Sequence, residues 1–316
     1  MQKSMPMIGR GRPQWLERIV ARVIYAIGLG LVLAIAVAVM IPTPAFSQPP
    51  IAIIACGKIT KPGLYELDNV LVASTSSAGD CLVITASNVS LNLNGFDLWG
   101  GAVSAVGIHV MKTASKAFIE GNGSIIQAFG VGIQIDAPGA LVDNFTVLSN
   151  TDAGVLLNHV QQVDLSNFSA ITNKNDGVRI VGGGYNVLQM PVISGNGRFG
   201  VWVQSSSHNS IGNFEINKNA LTGIYIGCSQ AGPRGLCSRG ATASNYNYLF
   251  SGTIKDSGLQ QYGVAIDLGD NFNRVVNVFA SQNFVFDLLD VNPDCGTNYW
   301  FAEPIIGMVA PPTCIN

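Results

Sequence analysis

Charge is what this sequence has least of. Lys, Arg, Asp and Glu make up 11% of its 316 residues, against about 25% in an ordinary soluble domain. No basic run occurs after Arg22 and the formal charge is already −2, so the footprint of a nucleic-acid partner is missing and none is expected. Histidine is scarce too: His109, His159 and His208 stand far apart and no Cys-x-x-Cys occurs, which excludes the ligand spacing of a zinc site. What the chain has instead is glycine, asparagine and apolar residues, with 36 Gly and 48% hydrophobic content. Such a chain buries a large core, in one elongated domain or two ordinary ones, under a surface of amides and hydroxyls.

The first 47 residues read as a targeting segment. Arg10, Arg12, Arg18 and Arg22 precede an apolar stretch from Val23 to Ile41, and Ala45-Phe46-Ser47 supplies small residues for a peptidase. Cleavage is expected after Ser47. The other reading is an uncleaved anchor, the only contact with a membrane that the sequence offers. In either case residues 48 onward are exported, to the periplasm or beyond. Taking Lys3, the four Arg and Glu17 from 17 cations and 19 anions leaves 12 against 18, so the exported part is at −6. All six cysteines lie in that part, and an even number in an exported chain reads as a disulfide set. Their spacing favours neighbours: Cys56 with Cys81, Cys228 with Cys237, Cys295 with Cys314.

Internal periodicity decides the fold. A Gly followed by apolar, any, apolar recurs as GIHV at 107, GIQI at 132, GVLL at 154, GVRI at 177, GVWV at 200, GIYI at 223 and GVAI at 263, with a step of 23 residues from Gly154 to Gly223. Asn150, Asn173, Asn196 and Asn219 keep the same step, each four residues before the Gly. A third series follows as NFTV at 144, NFSA at 167, MPVI at 190 and NFEI at 213. Short alternating strands with Gly or Asn corners and no helical period predict one turn of a parallel β-solenoid per repeat. Each coil then lies about 4.8 Å above the last, so every repeat position becomes a column. Val178, Val201 and Ile224 are expected to point inward in one column, Phe145, Phe168 and Phe214 in another, and the asparagines to form a ladder at a bend. Residues 51 to 292 hold about ten such coils, and the proline-rich segment 293–316 reads as a cap.

The runs CGKITKPGLYELDNV at 56 to 70 and CLVITASNVSLNLNGFDLWG at 81 to 100, with the later GVxI repeats, resemble exported bacterial right-handed parallel β-helix proteins of the pectate-lyase-like superfamily. The resemblance implies an all-β, right-handed, single-stranded parallel β-helix. It implies little about activity, because that superfamily holds lyases, hydrolases, epimerases, phage spikes and adhesins.

Asn150-Thr-Asp152-Ala-Gly154 has the look of a polygalacturonase aspartate motif, but its register matches NKNDG at 173, NGRFG at 196 and NALTG at 219. The repeat therefore accounts for it without catalysis. Alternation along the GVxI strands places two columns outward: His109, Gln134, Leu156, Arg179, Trp202, Tyr225, Ala265, and beside it Met111, Asp136, Asn158, Val181, Gln204, Gly227, Asp267. Arg179, Trp202 and Tyr225 on consecutive coils predict an exposed platform for sugar rings, with Gln134, Asn158 and Gln204 bonding hydroxyls; the alternative is a covered wall, with the aromatics packed beneath the 228–237 loop or the C-terminal tail. Asp136, Asp176, His159 and Arg179 are the candidate catalytic groups, with Asp176 also placed to pair with Arg179 as a surface ion pair. Calcium is the only cofactor the residues suggest, although no carboxylate cluster to hold it is evident. The sequence thus predicts a monomeric, exported polysaccharide-binding protein. Any enzymatic activity would be that of a lyase or epimerase rather than a hydrolase. The alternative is a non-catalytic surface or adhesion solenoid.

Overall fold

The computed structural model describes residues 49–316 apart from 75–78, 102–104, 234–241, 257–258, 302–307, 311–313 and 316. The expected targeting segment and Cys237 lie outside the described residues. From Ile51 onward the chain winds as a solenoid of parallel strands divided between two sheets. The front sheet has 11 strands among the described residues, including Val106–Val110, Val131–Ile135, Ala153–Asn158, Asp176–Val181, Phe199–Gln204, Thr222–Ile226 and Tyr262–Ile266. The back sheet has 16 strands among the described residues and folds around the other two sides of each coil.

The 23-residue step is the strand register. Val178 pairs with Val201 and Val201 with Ile224, and all three side chains are fully buried. Burying one such side chain contributes about 1.5–3 kcal/mol, and a column repeats the gain on every coil. The Gly that opens each repeat is required by space rather than by its backbone angles. A Cβ on Gly177 would lie 2.7 Å from the Gly200 carbonyl oxygen and 2.9 Å from Asn196 Nδ2, so only hydrogen fits between the corner and the next coil.

That Nδ2 belongs to the expected ladder. Asn150 donates to Asn173 Oδ1 at 3.0 Å, Asn173 to Asn196 at 3.0 Å and Asn196 to Asn219 at 2.9 Å. Gln260 and Asn283 continue the chain to Asp287 Oδ1. A second, buried ladder runs along another corner through Asn186, Asn209, Asn247, Asn273 and Asn298 and ends on Asp290 Oδ2. Each ladder amide also bonds the backbone, so the corners leave few buried amides unpaired.

The NF series marks a kink in the back sheet. Asn167, between the strands Asp164–Ser166 and Ser169–Ile171, has φ 51°, and Asn144 and Asn213 have φ 56° and 53°. Asn is among the few residues that adopt this left-handed conformation readily. The following phenylalanines turn inward, and the rings of Phe145 and Phe168 stack at 5.1 Å.

Two of the three expected disulfides are present as paired, Cys56–Cys81 and Cys295–Cys314. Cys228 is disulfide-bonded, and its expected partner is the Cys237 outside the described residues. Beyond residue 292, Tyr299–Phe301 and Val309–Ala310 still pair with the preceding coil, so this terminal segment closes the solenoid by adding a last partial coil.

Candidate functional site on the outer face of the front sheet

The outward column is in the expected register: His109 pairs with Gln134, Gln134 with Leu156, Leu156 with Arg179, Arg179 with Trp202 and Trp202 with Tyr225. Its two halves differ in access. From His109 to Arg179 the side chains are half-buried, as are Asp136, Asn158, Val181 and Gln204 beside them. From Trp202 onward the column is roofed.

The expected exposed platform is therefore corrected. Trp202 is 1% exposed and Tyr225 0%; with Phe199, Ala265 and Leu289 they form a second apolar cluster outside the solenoid core. Trp202 Nε1 donates to the Gly227 carbonyl at 2.7 Å, and the Tyr225 hydroxyl donates to Asp267 Oδ2 at 2.6 Å. The Ser229 N–H in turn donates to that hydroxyl. Residues 227–232, which open a connection seventeen residues longer than the repeat, fold back over these rings. The outer surface of Trp202 is covered by arginine, with the Arg198 Cζ 4.7 Å and the Arg179 Cζ 5.7 Å from the ring centroid. Neither ring presents a face to a ligand.

Asp176 is likewise not a surface residue. Its side chain is fully buried and accepts Arg179 Nε at 2.6 Å and both Arg198 Nε at 2.8 Å and Nη2 at 2.6 Å. Arg179 reaches on to Asp152 with Nη2 at 2.7 Å and Nη1 at 3.2 Å. The four side chains form an alternating, neutral network in which each buried charge is paired, as burial demands. Burial raises the Asp152 pKa, but the bonds from Arg179 and Asn175 outweigh it and hold the carboxyl below its ordinary value. Asp152 is thus a fixed anion, in keeping with its place in the repeat.

The polar centre of the open half is His109. Its Nδ1 lies 2.6 Å from Asp80 Oδ2 and its Nε2 2.8 Å from Asp136 Oδ2. Burial lowers the imidazole pKa, and the bonds and charges of Asp136 and Asp80 more than reverse it, favouring the imidazolium. Asp136 also accepts Gln134 Nε2 at 3.1 Å and Asn158 Nδ2 at 3.0 Å. Burial pushes its pKa up, while His109, Asn158 and Gln134 pull it below the usual carboxylate value. Asn158 Oδ1 lies 2.8 Å from His159 Nδ1, and His159 is exposed. The structure thus joins Gln134, Asn158 and, through Asn158, His159 to Asp136, which His109 ties to Asp80, and leaves Arg179 and Asp176 in a separate cluster one coil on. Sequence reasoning missed His109 and Asp80 as a pair, because Asp80 comes from the irregular connection before Cys81. No group of three His, Cys, Asp or Glu side chains among the described residues is placed to share a metal ion.

Residues 131–284 match the family model described as a right handed beta helix region. The solenoid is a right-handed parallel β-helix. Solved β-helices with similar folds include the A-module of the mannuronan C-5 epimerase AlgE6 of Azotobacter vinelandii, at 14% identity and TM-score 0.51, covering 85% of this chain and 93% of that one. The periplasmic alginate epimerase AlgG is similar at 16% identity and TM-score 0.50, covering 74% of this chain and 62% of that one. The enzymatically active domain of bacteriophage CBA120 tailspike protein 2 is similar at 16% identity and TM-score 0.50, over 70% of this chain and 36% of that one. The β-helix thus spans about a third of the tailspike domain and under two thirds of AlgG. At these identities the likeness is one of fold. No curated protein sequence matches the chain.

Proposed function

We propose that the protein is an exported β-helix that binds a polysaccharide along the open half of its front sheet. The observation that carries this reading is the alignment of His109, Gln134, Asp136, Asn158 and Arg179, all half-buried, on consecutive coils. Such a row offers amides and fixed charges at one coil spacing, which suits a linear polyhydroxy polymer lying along the axis. Epimerases of alginate and a tailspike enzyme among the similar folds support the ligand class, and disulfides, which persist in oxidising compartments, support export.

Binding is favoured over lyase or epimerase chemistry by the bonding itself. Both His109 nitrogens are committed to carboxylates and Asp136 accepts three donors, so these groups hold their protons and lone pairs in place rather than offering them to a substrate. The second reading, a non-catalytic surface solenoid, draws on the roofing of Trp202 and Tyr225, which removes the most obvious sugar platform. A glycan-array screen of the exported protein, with and without calcium and followed by product analysis on every hit, tests the proposal. A bound polysaccharide whose length and composition stay unchanged supports binding; shortened or epimerised product indicates processing; binding to no glycan leaves the surface solenoid.

A further inference from the structure

One corner of the β-helix, remote in the repeat from the front column, carries aromatic rings where the earlier coils carry Gly139 and Gln162. Tyr185, His208, Tyr246 and Phe272 each precede an asparagine of the second ladder, and their rings stack in turn at centroid distances of 4.6, 5.0 and 4.8 Å, tilted by no more than 14°. All four have φ between 57° and 62°, a left-handed conformation that costs a bulky residue energy. All four are also exposed, Tyr185 at 56%. Neither core packing nor the turn explains them.

Two residues further along each coil, Tyr248, Arg274 and Tyr299 form a parallel exposed column. The Arg274 Cζ lies 5.8 Å from one tyrosine ring and 5.3 Å from the other. Arg179 and Arg198 are locked into ion pairs. The Arg274 guanidinium has no carboxylate or hydrogen-bond partner among the described residues; only its backbone N–H is bonded, to the Asn247 carbonyl. The hydroxyls of Tyr185, Tyr246, Tyr248 and Tyr299 likewise have no protein partner there. The strip therefore presents a row of rigid donors around one uncompensated cation, in an exported chain whose acids outnumber its bases by 18 to 12. Contiguous exposed rings of this kind mark interaction surfaces.

We infer that this corner is a second binding surface, a rail for an acidic polysaccharide in which Arg274 takes a uronate carboxylate and the phenol and imidazole groups bond the hydroxyls of successive sugars. An unpaired guanidinium held between two rings is the geometry that accepts a carboxylate, and a linear polymer along the axis meets one ring per coil. The inference rests on the polysaccharide reading for its ligand class but uses a different surface.

The test uses the exported protein with polygalacturonate, alginate and a neutral glucan as probes. The variants are Arg274→Gln and Tyr246→Asn, the latter suited to positive φ, each also combined with Asn158→Ala to silence the front sheet. The rail predicts that each single variant weakens binding of the acidic polymers about tenfold, with neutral-glucan binding unchanged and the melting temperature no lower than that of wild type. Acidic polymers that bind Arg274→Gln as well as wild type but are lost with Asn158→Ala overturn the rail and leave the front-sheet reading intact. Wild type that binds no polysaccharide overturns both. A dimer of the wild type in light scattering that dissociates on Arg274→Gln also overturns it, making the strip a contact between copies of this chain.

Discussion

The guanidinium of Arg198 lies over the ring of Trp202, 4.7 Å from its centroid, while its nitrogens grip the buried Asp176. One side chain thus seals an apolar cluster and neutralises the carboxylate beneath it. This makes Trp202 a structural residue, and Trp202→Ala should cost about 3–5 kcal/mol of stability, as truncating a packed ring does. Chemical denaturation measures it. A loss under about 1 kcal/mol would mean that the ring is not packed as described.

Asn196 accepts from Asn173 and donates to Asn219. Asn196→Leu should cost more than the bond it removes, because it leaves buried amides on both neighbouring coils unpaired; about 2–4 kcal/mol is expected. Replacing an exposed Asn such as Asn122 should cost well under half of that, and denaturation of the two variants side by side gives the comparison.

Met190 stands where three other coils place Asn, with φ 53° and a side chain 46% exposed. Met190→Asn should stabilise by about 0.5–1 kcal/mol, since asparagine tolerates this conformation and methionine does not. Differential scanning calorimetry should register an upward shift of about 1–4 °C.

Burial, with the charges of Asp267 and Asp290, pushes the Asp270 carboxyl up to about 7, against a lowering by the Ser244 N–H. A carboxyl whose folded pKa lies above its unfolded one binds a proton more tightly in the folded state. Its stabilisation is complete below pH about 4 and is lost as pH rises toward 7. Asp270→Asn should therefore leave stability at pH 4 nearly unchanged and raise it at pH 8. Melts at the two pH values provide the check, and equal shifts at both would contradict the assignment.

The parts of this structure that repeat could be read from the sequence. The register of Val178, Val201 and Ile224, the first amide ladder and the inward column of Phe145, Phe168 and Phe214 all follow from a step of 23 residues, because stacking forces equivalent residues into one column. What the repeat does not encode was either missed or left between two readings. Trp202 and Tyr225 point outward as the alternation requires, yet residues 227–232, which belong to no repeat, lie over them. The second ladder was hidden because the partner of Asn209 is 38 residues away, at Asn247, across that same insertion. Asp80 reaches His109 from an irregular connection 29 residues earlier, a contact that no periodic pattern announces.

The measurement that bears most directly on the proposed function is a calorimetric titration of alginate and polygalacturonate into wild type and Asn158→Ala. Asn158 joins Asp136 to His159 in the open half of the front sheet and supports no core packing. The account predicts that wild type binds at least one of the polymers and that Asn158→Ala binds it about five- to tenfold more weakly, at an unchanged melting temperature. Binding of the variant equal to wild type, or no binding by wild type to either polymer, would contradict it.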